Sequence, residues 1–339
     1  MGRRGALVRA VTAMAATALL AGCASATPAT PSAPAAPSAT ATTNPRGSSG
    51  PSGRASGTPT GTGSPTSPGS TSTAPPQLPG GGRQLLPAYR LVGYAGVPGS
   101  RAMGRLGIGD LDARAAELVD VGRPYADGRK VMPVLELIAT IVQGRPGRDG
   151  KYRSRVSSSV VDDYLAAARR VHGILLINIQ PGRADFLDEV TSYERWLEEP
   201  DVGIALDPEW SMGPGQVPMK VFGHTTGRII NSVAAYLSDI VAEHDLPEKA
   251  LVFHQLSPAI VSQESRIRQH PGVVVIKSVD GIGNRHDKES TWRKLTTDLP
   301  DAVHAGFKLF YQEDRTHGPL MTPAQVLALR PQPDYVLYE

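Results

Sequence analysis

Two carboxylates separated by one residue give this chain of 339 residues its clearest chemical signal. Asp207 and Glu209 follow the apolar run 202–206, in the segment LDPEW. On a strand, side chains two residues apart point to the same side, so we expect both carboxylates to share one site. Two neighbouring carboxylates do not both ionise cheaply, and the pKa of one of them should be raised. A protonated carboxyl beside a charged one is suited to general acid catalysis.

Polar or aromatic side chains also stand near the ends of the other apolar runs. Glu313 and Asp314, after the seventh run, are alternative catalytic carboxylates. The predicted substrate-binding residues are Tyr94, Glu136, Gln180, Arg183, Trp210, His254, Gln255, Asp280, Lys308 and Tyr311. Structural interpretations stay open, because lone aromatic residues usually pack and a buried Glu136 can pair with Lys277 or Lys308.

The elements that must position these residues are eight short apolar runs alternating with helix-like segments. The runs are 90–96, 131–138, 173–179, 202–206, 250–255, 273–278, 303–310 and 335–338. The clearest amphipathic helices are 160–171, 186–197 and 229–242, and Thr322-Pro323 opens another at 324–329. This alternation predicts an α/β fold, a (β/α)8 TIM-type barrel with its active site at the C-terminal strand ends.

Two further observations bear on the prediction of a barrel. An open doubly wound sheet is the alternative, but the first run is not followed by a glycine-rich phosphate loop. The sequence also stops at Glu339, directly after the eighth run. The final helix of the barrel is therefore predicted to be missing or replaced.

The segment Gly203–Trp210 resembles the fourth strand of barrel-type lysozymes and chitinase-like glycosidases, which ends in D-x-E. This resemblance implies that Glu209 is the acid/base and Asp207 its partner. The segment Phe310–Asp314 instead resembles the seventh strand of a larger clan of retaining barrel glycosidases, which implies a nucleophile there. The chain lacks that clan's Asn-Glu motif, the lysozymes' acid after strand one and the additional chitinase aspartates. The identity of the second carboxylate therefore stays open.

The N-terminal residues are typical of an export signal. Three arginines within the first nine residues precede a short apolar stretch at 10–20. Residues 20–23, LAGC, resemble the lipobox of bacterial lipoproteins, which implies removal of residues 1–22 and diacylation of Cys23. An ordinary signal peptide with a chance cysteine is the alternative. The whole domain also resembles lipoproteins of actinobacteria, a resemblance that implies nothing about a reaction.

Residues 23–82 are predicted to be a disordered tether, and residues 83–339 the barrel. The stretch 24–82 consists almost entirely of Ala, Pro, Ser, Thr and Gly, with 12 prolines, and cannot bury enough apolar surface to fold. The chain has 35 basic and 32 acidic residues, and residues 1–82 hold five arginines and no acid. The barrel therefore has 30 basic and 32 acidic residues, a formal charge of −2, which gives nucleic-acid binding little electrostatic basis.

These observations predict an exported glycoside hydrolase, lipid-anchored to the outer face of the cell membrane through Cys23. Its expected partner is a cell-envelope or extracellular polysaccharide, and we expect a monomer that binds no nucleic acid. No cofactor is expected, and no metal is expected because the histidines lack partners at ligand spacing. The lack of a G-x-S-x-G motif and of a P-loop disfavours a serine hydrolase and a nucleotide-binding protein. The alternatives are a non-catalytic carbohydrate-binding lipoprotein and, if His254 or His286 meets two acids, a metal-dependent barrel hydrolase.

Overall fold

The computed structural model describes residues 74–339, and its centre is a closed barrel of eight parallel strands. They are β1 (Tyr89–Gly96), β2 (Lys130–Val142), β3 (Ile174–Ile179), β4 (Val202–Leu206), β5 (Lys249–Gln255), β6 (Val273–Val279), β7 (Val303–Leu309) and β8 (Tyr335–Tyr338). Each strand pairs with the next along the chain, and β1 pairs with both β2 and β8, which closes the barrel. The predicted (β/α)8 architecture is confirmed. The predicted signal peptide, Cys23 and most of the predicted tether lie outside the described residues.

Helices connect the strands and cover the outside of the barrel. They are α1 (Leu111–Gly122), α2 (Ser158–Arg170), α3 (Phe186–Thr191), α4 (Glu194–Leu197), α5 (Gly227–Glu243), α6 (Arg285–Thr296), α7 (Glu313–His317) and α8 (Pro323–Leu327). The helix predicted at 186–197 is divided into α3 and α4. The hydroxyl groups of Thr191 and Ser192 both donate to the carbonyl of Asp188, and such side-chain bonds compete with the helical ladder.

Three short strands add to this frame. Arg153–Arg155 pairs antiparallel with the end of β2, while Thr225–Thr226 pairs with Val261–Ser262 outside the barrel. Turns of 3₁₀ helix occur at Arg101–Met103, Arg105–Gly107, Arg123–Tyr125, Pro208–Trp210 and Glu264–Arg266. Within residues 74–339, no helix combines the length and the apolar character needed to cross a membrane.

The inside of the barrel is apolar at its N-terminal end. Alternate strand residues such as Leu91, Val134 and Ile276 pack together there and are almost inaccessible to solvent. Leu78 and Leu85 join the same cluster, so the chain just before β1 closes this end. The packed segment thus begins before residue 83, the boundary predicted from composition, because the isolated Leu78 finds a buried position that composition does not reveal.

Tyrosine rings pack together on the outer face of β8. Tyr338 stacks on Tyr311 with ring centroids 5.0 Å apart, and it meets Tyr94 and Tyr125 edge to face. Offset and edge-to-face contacts are the favoured arrangements of aromatic rings. The cluster buries Tyr338, the last residue of β8.

Candidate active site

The C-terminal end of the barrel interior is polar where the other end is apolar. Glu136 of β2 accepts hydrogen bonds from three other strands: Asn178 Nδ2 (3.0 Å) and His254 Nε2 (2.9 Å) reach Oε1, and the Tyr335 hydroxyl (2.9 Å) reaches Oε2. All four side chains are almost fully buried. Buried polar groups are stable when they are paired in this way. These four residues, together with Asp280, Lys308 and Glu339, form a connected floor below the mouth of the barrel.

Charges of opposite sign alternate across this floor. His254 Nδ1 lies 3.1 Å from Asp280 Oδ1, and Lys308 Nζ lies 3.0 Å from Asp280 Oδ2. Lys308 Nζ also lies 2.6 Å from Glu339 Oε2. The series Glu136, His254, Asp280, Lys308 and Glu339 therefore places each cation between two carboxylates.

These contacts determine the protonation of the buried groups. Burial alone would lower the pKa of His254, but the charges of Asp280 and Glu136 outweigh it and raise that pKa well above 6.5. Burial alone would raise the pKa of Glu136, but the neighbouring His254 and Lys308 bring it below 4.5. At neutral pH the floor therefore consists of carboxylates paired with an imidazolium and an ammonium group.

Asp207 lies directly after β4, and its two oxygens are held by side-chain amides from β3 and the residues that follow it. Asn178 Nδ2 donates to Oδ1 at 3.1 Å, and Gln180 Nε2 donates to Oδ2 at 2.9 Å. The Gln180 oxygen in turn accepts the backbone N–H of Val142. Amide donors stabilise a carboxylate charge and fix its orientation. The Asp207 carboxyl group is therefore held in a fixed position by two amide donors.

Glu209 is the other carboxylate of the pair, and it differs from Asp207 in having no such donors. Its Oε2 is inaccessible to solvent and has no hydrogen-bond partner among residues 74–339. Burial, followed by the negative charges of Asp207 and Asp280, raises the pKa of Glu209 well above 4.5. A carboxyl group in this environment retains its proton where ordinary carboxyls have lost theirs, which is the property that a general acid requires.

The local backbone at these two residues differs from the prediction. The sequence predicts that a strand directs both carboxylates to one side, but β4 ends at Leu206 and Pro208–Trp210 forms a 3₁₀ turn. Proline at the start of the turn ends the strand, since it lacks the N–H that a further ladder bond requires. The backbone N–H of Gly223 donates to the Glu209 carbonyl at 2.7 Å and holds this turn. A 3₁₀ turn held by this contact, not strand alternation, therefore positions the Glu209 side chain, whose pKa responds to the charge of Asp207.

The predicted aromatic residues lie at the edge of the site or behind it. Tyr94 is on the outer face of β1, fully buried, and its hydroxyl donates to Glu117 of α1 at 2.7 Å. Trp210 is buried against Phe222, with ring centroids 5.7 Å apart. Tyr311 is half-buried and lines a cavity of about 310 Å³ beside the mouth.

Two predicted polar residues bind protein groups outside the barrel interior. Gln255 is buried on the outer face of β5, where its amide donates to Glu264 Oε1 at 2.7 Å. Arg183 donates twice to the carbonyl of Gln216, and its guanidinium lies over the ring of Tyr152. Both side chains hold loops together at the C-terminal end of the barrel.

The two alternative carboxylates after β7 are not brought to the floor. Asp314 is buried in an ion pair with Lys288, 2.9 Å apart, and it accepts the backbone N–H groups of Gly283 and Phe310. Glu313 lines the 310 Å³ cavity. Of the predicted carboxylates, the structure places Asp207, Glu209, Glu136 and Asp280 together.

Three residues of the floor were not among the predicted site residues. Asn178 contacts both Glu136 and Asp207, Tyr335 donates to Glu136, and Glu339 pairs with Lys308. Asn178 and Glu339 stand at strand ends, and this position in the sequence could have identified them as site residues. Tyr335 begins β8, and only the tilt of the strands in a closed barrel brings it to the level of the β2 carboxylate.

A metal site is not formed around the histidines. His254 meets two acids, as a metal-dependent hydrolase would require, but Glu136 binds Nε2 and Asp280 binds Nδ1, on opposite sides of the ring. His286 is exposed on α6. No group of three His, Cys, Asp or Glu side chains in residues 74–339 is arranged to hold a metal ion.

No protein-family model and no curated protein matches the chain. Among solved structures it is similar to a GH18 chitinase from Pseudoalteromonas aurantia, with a TM-score of 0.35, 12% identity, and coverage of 74% of this chain and 93% of that one. It is also similar to a GH5 xyloglucanase from Bacteroides ovatus in complex with an XXXG heptasaccharide, with a TM-score of 0.29 and 10% identity. That match covers 64% of this chain and 60% of the other. Similarity at this level carries no inference about reaction or substrate.

Proposed function

We propose that the barrel is a glycoside hydrolase in which Glu209 is the general acid. The observation that supports this most is the contrast between the two carboxylates of LDPEW. Glu209 has a raised pKa and a buried oxygen without a partner, while both oxygens of Asp207 are held by amides. One protonated and one charged carboxyl at the C-terminal end of a barrel form the pair that glycoside hydrolysis uses.

The reaction follows from these two protonation states. Glu209 donates its proton to the glycosidic oxygen as the bond from that oxygen to the anomeric carbon breaks. The positive charge that develops on the sugar is stabilised by the Asp207 carboxylate. Water then supplies a hydroxyl group to the anomeric carbon, and the proton that it releases returns to Glu209. The sum of these steps is hydrolysis of one glycosidic bond.

The charged floor keeps Asp207 and Glu209 in place during this cycle. Asn178 links Asp207 to Glu136, and Glu136 is bound to His254, so a shift of Asp207 would disturb the whole buried network. Preorganised groups of this kind stabilise transition-state charge without reorganising. His254 and Lys308 also balance part of the negative charge that Asp207, Glu136 and Asp280 bring to one small volume.

The test is release of reducing sugar from purified cell-envelope polysaccharides. We expect Glu209→Gln to lower kcat about 10²- to 10⁴-fold, the usual contribution of a general acid. The matched control is Glu243→Gln, the same substitution at an exposed residue ending α5, which should leave the rate unchanged. Equal release by wild type and Glu209→Gln would remove Glu209 from the mechanism. Binding of the polysaccharide without release by the wild type would support the non-catalytic alternative.

We also propose that the protein acts at the cell surface, anchored through lipid on Cys23. The LAGC segment supports this, and acyl chains on that cysteine contribute about 0.8 kcal/mol per buried methylene. We expect Cys23→Ala to move the protein from the membrane fraction to the soluble exported fraction. Retention of the variant in the membrane fraction would contradict the anchor.

A further inference from the structure

A concentration of positive charge stands beside the proposed catalytic mouth. Residues 143–155, which run from the end of β2 to the end of the strand Arg153–Arg155, contain five basic residues and one acid. We call Arg145, Arg148, Lys151 and Lys220 the basic rim, and all four are exposed. Since residues 83–339 carry a formal charge of −2, the positive charge of the basic rim is a local feature.

The basic rim is not used for ion pairs within the domain. Arg153 and Arg155, which are not part of it, both bind Glu189, and Arg153 also binds Asp149. In contrast, none of the four rim side chains forms an ion pair with a carboxylate of residues 74–339, although the backbone N–H of Lys151 donates to Asp149 Oδ1 at 3.1 Å. Unpaired charges of one sign on a surface raise the local concentration of ligands of the other sign. The rim is therefore available to an anionic ligand.

Backbone hydrogen bonds attach the basic rim to the turn that carries Glu209. The N–H of Arg183 donates to the carbonyl of Lys151 at 2.7 Å, and the N–H of Met212 donates to the carbonyl of Gly182 at 2.7 Å. The loops after β2, β3 and β4 thus form one hydrogen-bonded unit that includes Glu209.

Lys220 belongs to the same unit. A Cβ atom on Gly144 would stand 3.5 Å from the sulfur of Met219, so the loop after β4 lies beside the loop after β2. The rim residues from both loops accordingly lie on one side of the mouth. A ligand bound by Glu209 and extending in this direction passes over the rim.

We propose that the basic rim binds the anionic groups of an acidic polysaccharide, and that this polymer is the substrate of the Glu209 site. The inference rests on the proposed function. The mouth itself holds several carboxylates and repels anions, whereas the basic rim attracts them, so an acidic sugar or phosphodiester binds beside the cleavage point and not at it. The rim thus selects the polymer and sets which of its linkages reaches Glu209.

The binding experiment uses the full-length protein and defined polymers. The probes are polygalacturonate, the same polymer after reduction of its carboxyl groups, and poly(glycerol phosphate), so carboxylate and phosphodiester recognition are measured separately. We expect the wild type to bind at least one anionic polymer about tenfold more tightly than the reduced polymer, and to lose this preference as salt is raised. Arg145→Gln/Arg148→Gln should weaken anionic binding roughly three- to tenfold and leave binding of the reduced polymer unchanged.

The matched control is Arg293→Gln/Lys294→Gln, which removes two exposed charges at the end of α6 away from the loops of the mouth. Both variants keep the arginines of residues 1–82, so any contribution of those arginines to polymer binding is the same in both and drops out of the comparison. Equal affinity of the wild type for charged and reduced polymers, or equal loss in both variants, would overturn the proposal. Rim-dependent binding to anionic phospholipid vesicles without binding to any polymer would also overturn it, in favour of a membrane contact.

The outcomes separate this inference from the proposed function. If Glu209→Gln loses activity but the rim variant binds like the wild type, the hydrolase stands and the acidic substrate class fails. If the rim variant loses anionic binding while Glu209→Gln retains full activity, the polymer class stands and the assigned acid fails.

Discussion

The buried imidazolium of His254 allows the charge assignment at the floor to be tested through stability. Replacing this residue with glutamine removes a cation that lies 2.9 Å from Glu136 and 3.1 Å from Asp280. The substitution leaves Asp280 with Lys308, while Glu136 keeps the neutral donors Asn178 and Tyr335. Removal of one partner of a buried ion pair costs about 3–5 kcal/mol. For a domain of this size, that corresponds to a fall in Tm of about 10 °C.

The assay is urea unfolding followed by tryptophan fluorescence at pH 6.5 and at several higher values. The control is His304→Gln, the same change at a half-exposed histidine whose Nδ1 lies 3.0 Å from Asp334. An exposed pair contributes less than about 1 kcal/mol, so this control should unfold almost like the wild type.

The loss of stability caused by His254→Gln should depend on pH in one direction. The pKa of His254 is raised in the folded protein above 6.5, its ordinary value. The stabilisation by the protonated ring is therefore complete below pH 6.5, decreases above it, and is lost as the pH rises through the folded-state pKa. The gap between wild type and His254→Gln should narrow in alkali. Equal unfolding midpoints at pH 6.5, or a gap that widens with pH, would refute the buried imidazolium.

Three further predictions concern the acid, its supporting turn and a remote ion pair. Because the pKa of Glu209 is raised, kcat/KM should fall as the pH rises through that pKa. The residual activity of Glu209→Gln should not show this alkaline fall. The same pH profile in the variant and the wild type would contradict the prediction. Gly223→Ala would place a Cβ atom 2.0 Å from the Ser211 carbonyl oxygen and displace the turn that carries Glu209. We expect kcat to fall about 10- to 100-fold while the circular dichroism spectrum stays unchanged. An unaltered kcat would show that the turn tolerates displacement. Asp314→Asn leaves Lys288 buried without its counter-ion and should cost about 3 kcal/mol in urea unfolding; a loss below about 1 kcal/mol would mean that the pair is solvated.

Most of the barrel could be predicted from the chain because each strand is buried on both faces. Strands such as Ile174–Ile179 and Val273–Val279 begin with at least four consecutive apolar residues, and their observed limits differ from the predicted ones by one residue at most. Because both faces of each strand are buried, the sequence does not reveal which side chains point into the barrel. In β1, Tyr94 points outward and Ala95 inward, yet nothing in an apolar run distinguishes the two faces.

The site could be predicted in part for a related reason. Parallel strands of a barrel end at one rim, so polar residues near the ends of the predicted runs, such as Glu136, His254 and Asp280, could be grouped from the sequence. The partners of each carboxylate could not be grouped in this way. Asp314 follows β7 in sequence, as a catalytic residue would, but it lies in α7 and Lys288, 26 positions earlier, is its buried counter-ion.

By itself, the sequence determined where the strands lie, which end of the barrel carries polar groups, and that LDPEW holds two neighbouring carboxylates. Those features depend on local composition and on the common direction of parallel strands. The tertiary structure alone decided that Asp207 is held by Asn178 and Gln180 while Glu209 has no donor for Oε2. Protonation of a carboxyl depends on burial and on charges contributed by distant segments, and these meet only when the barrel closes.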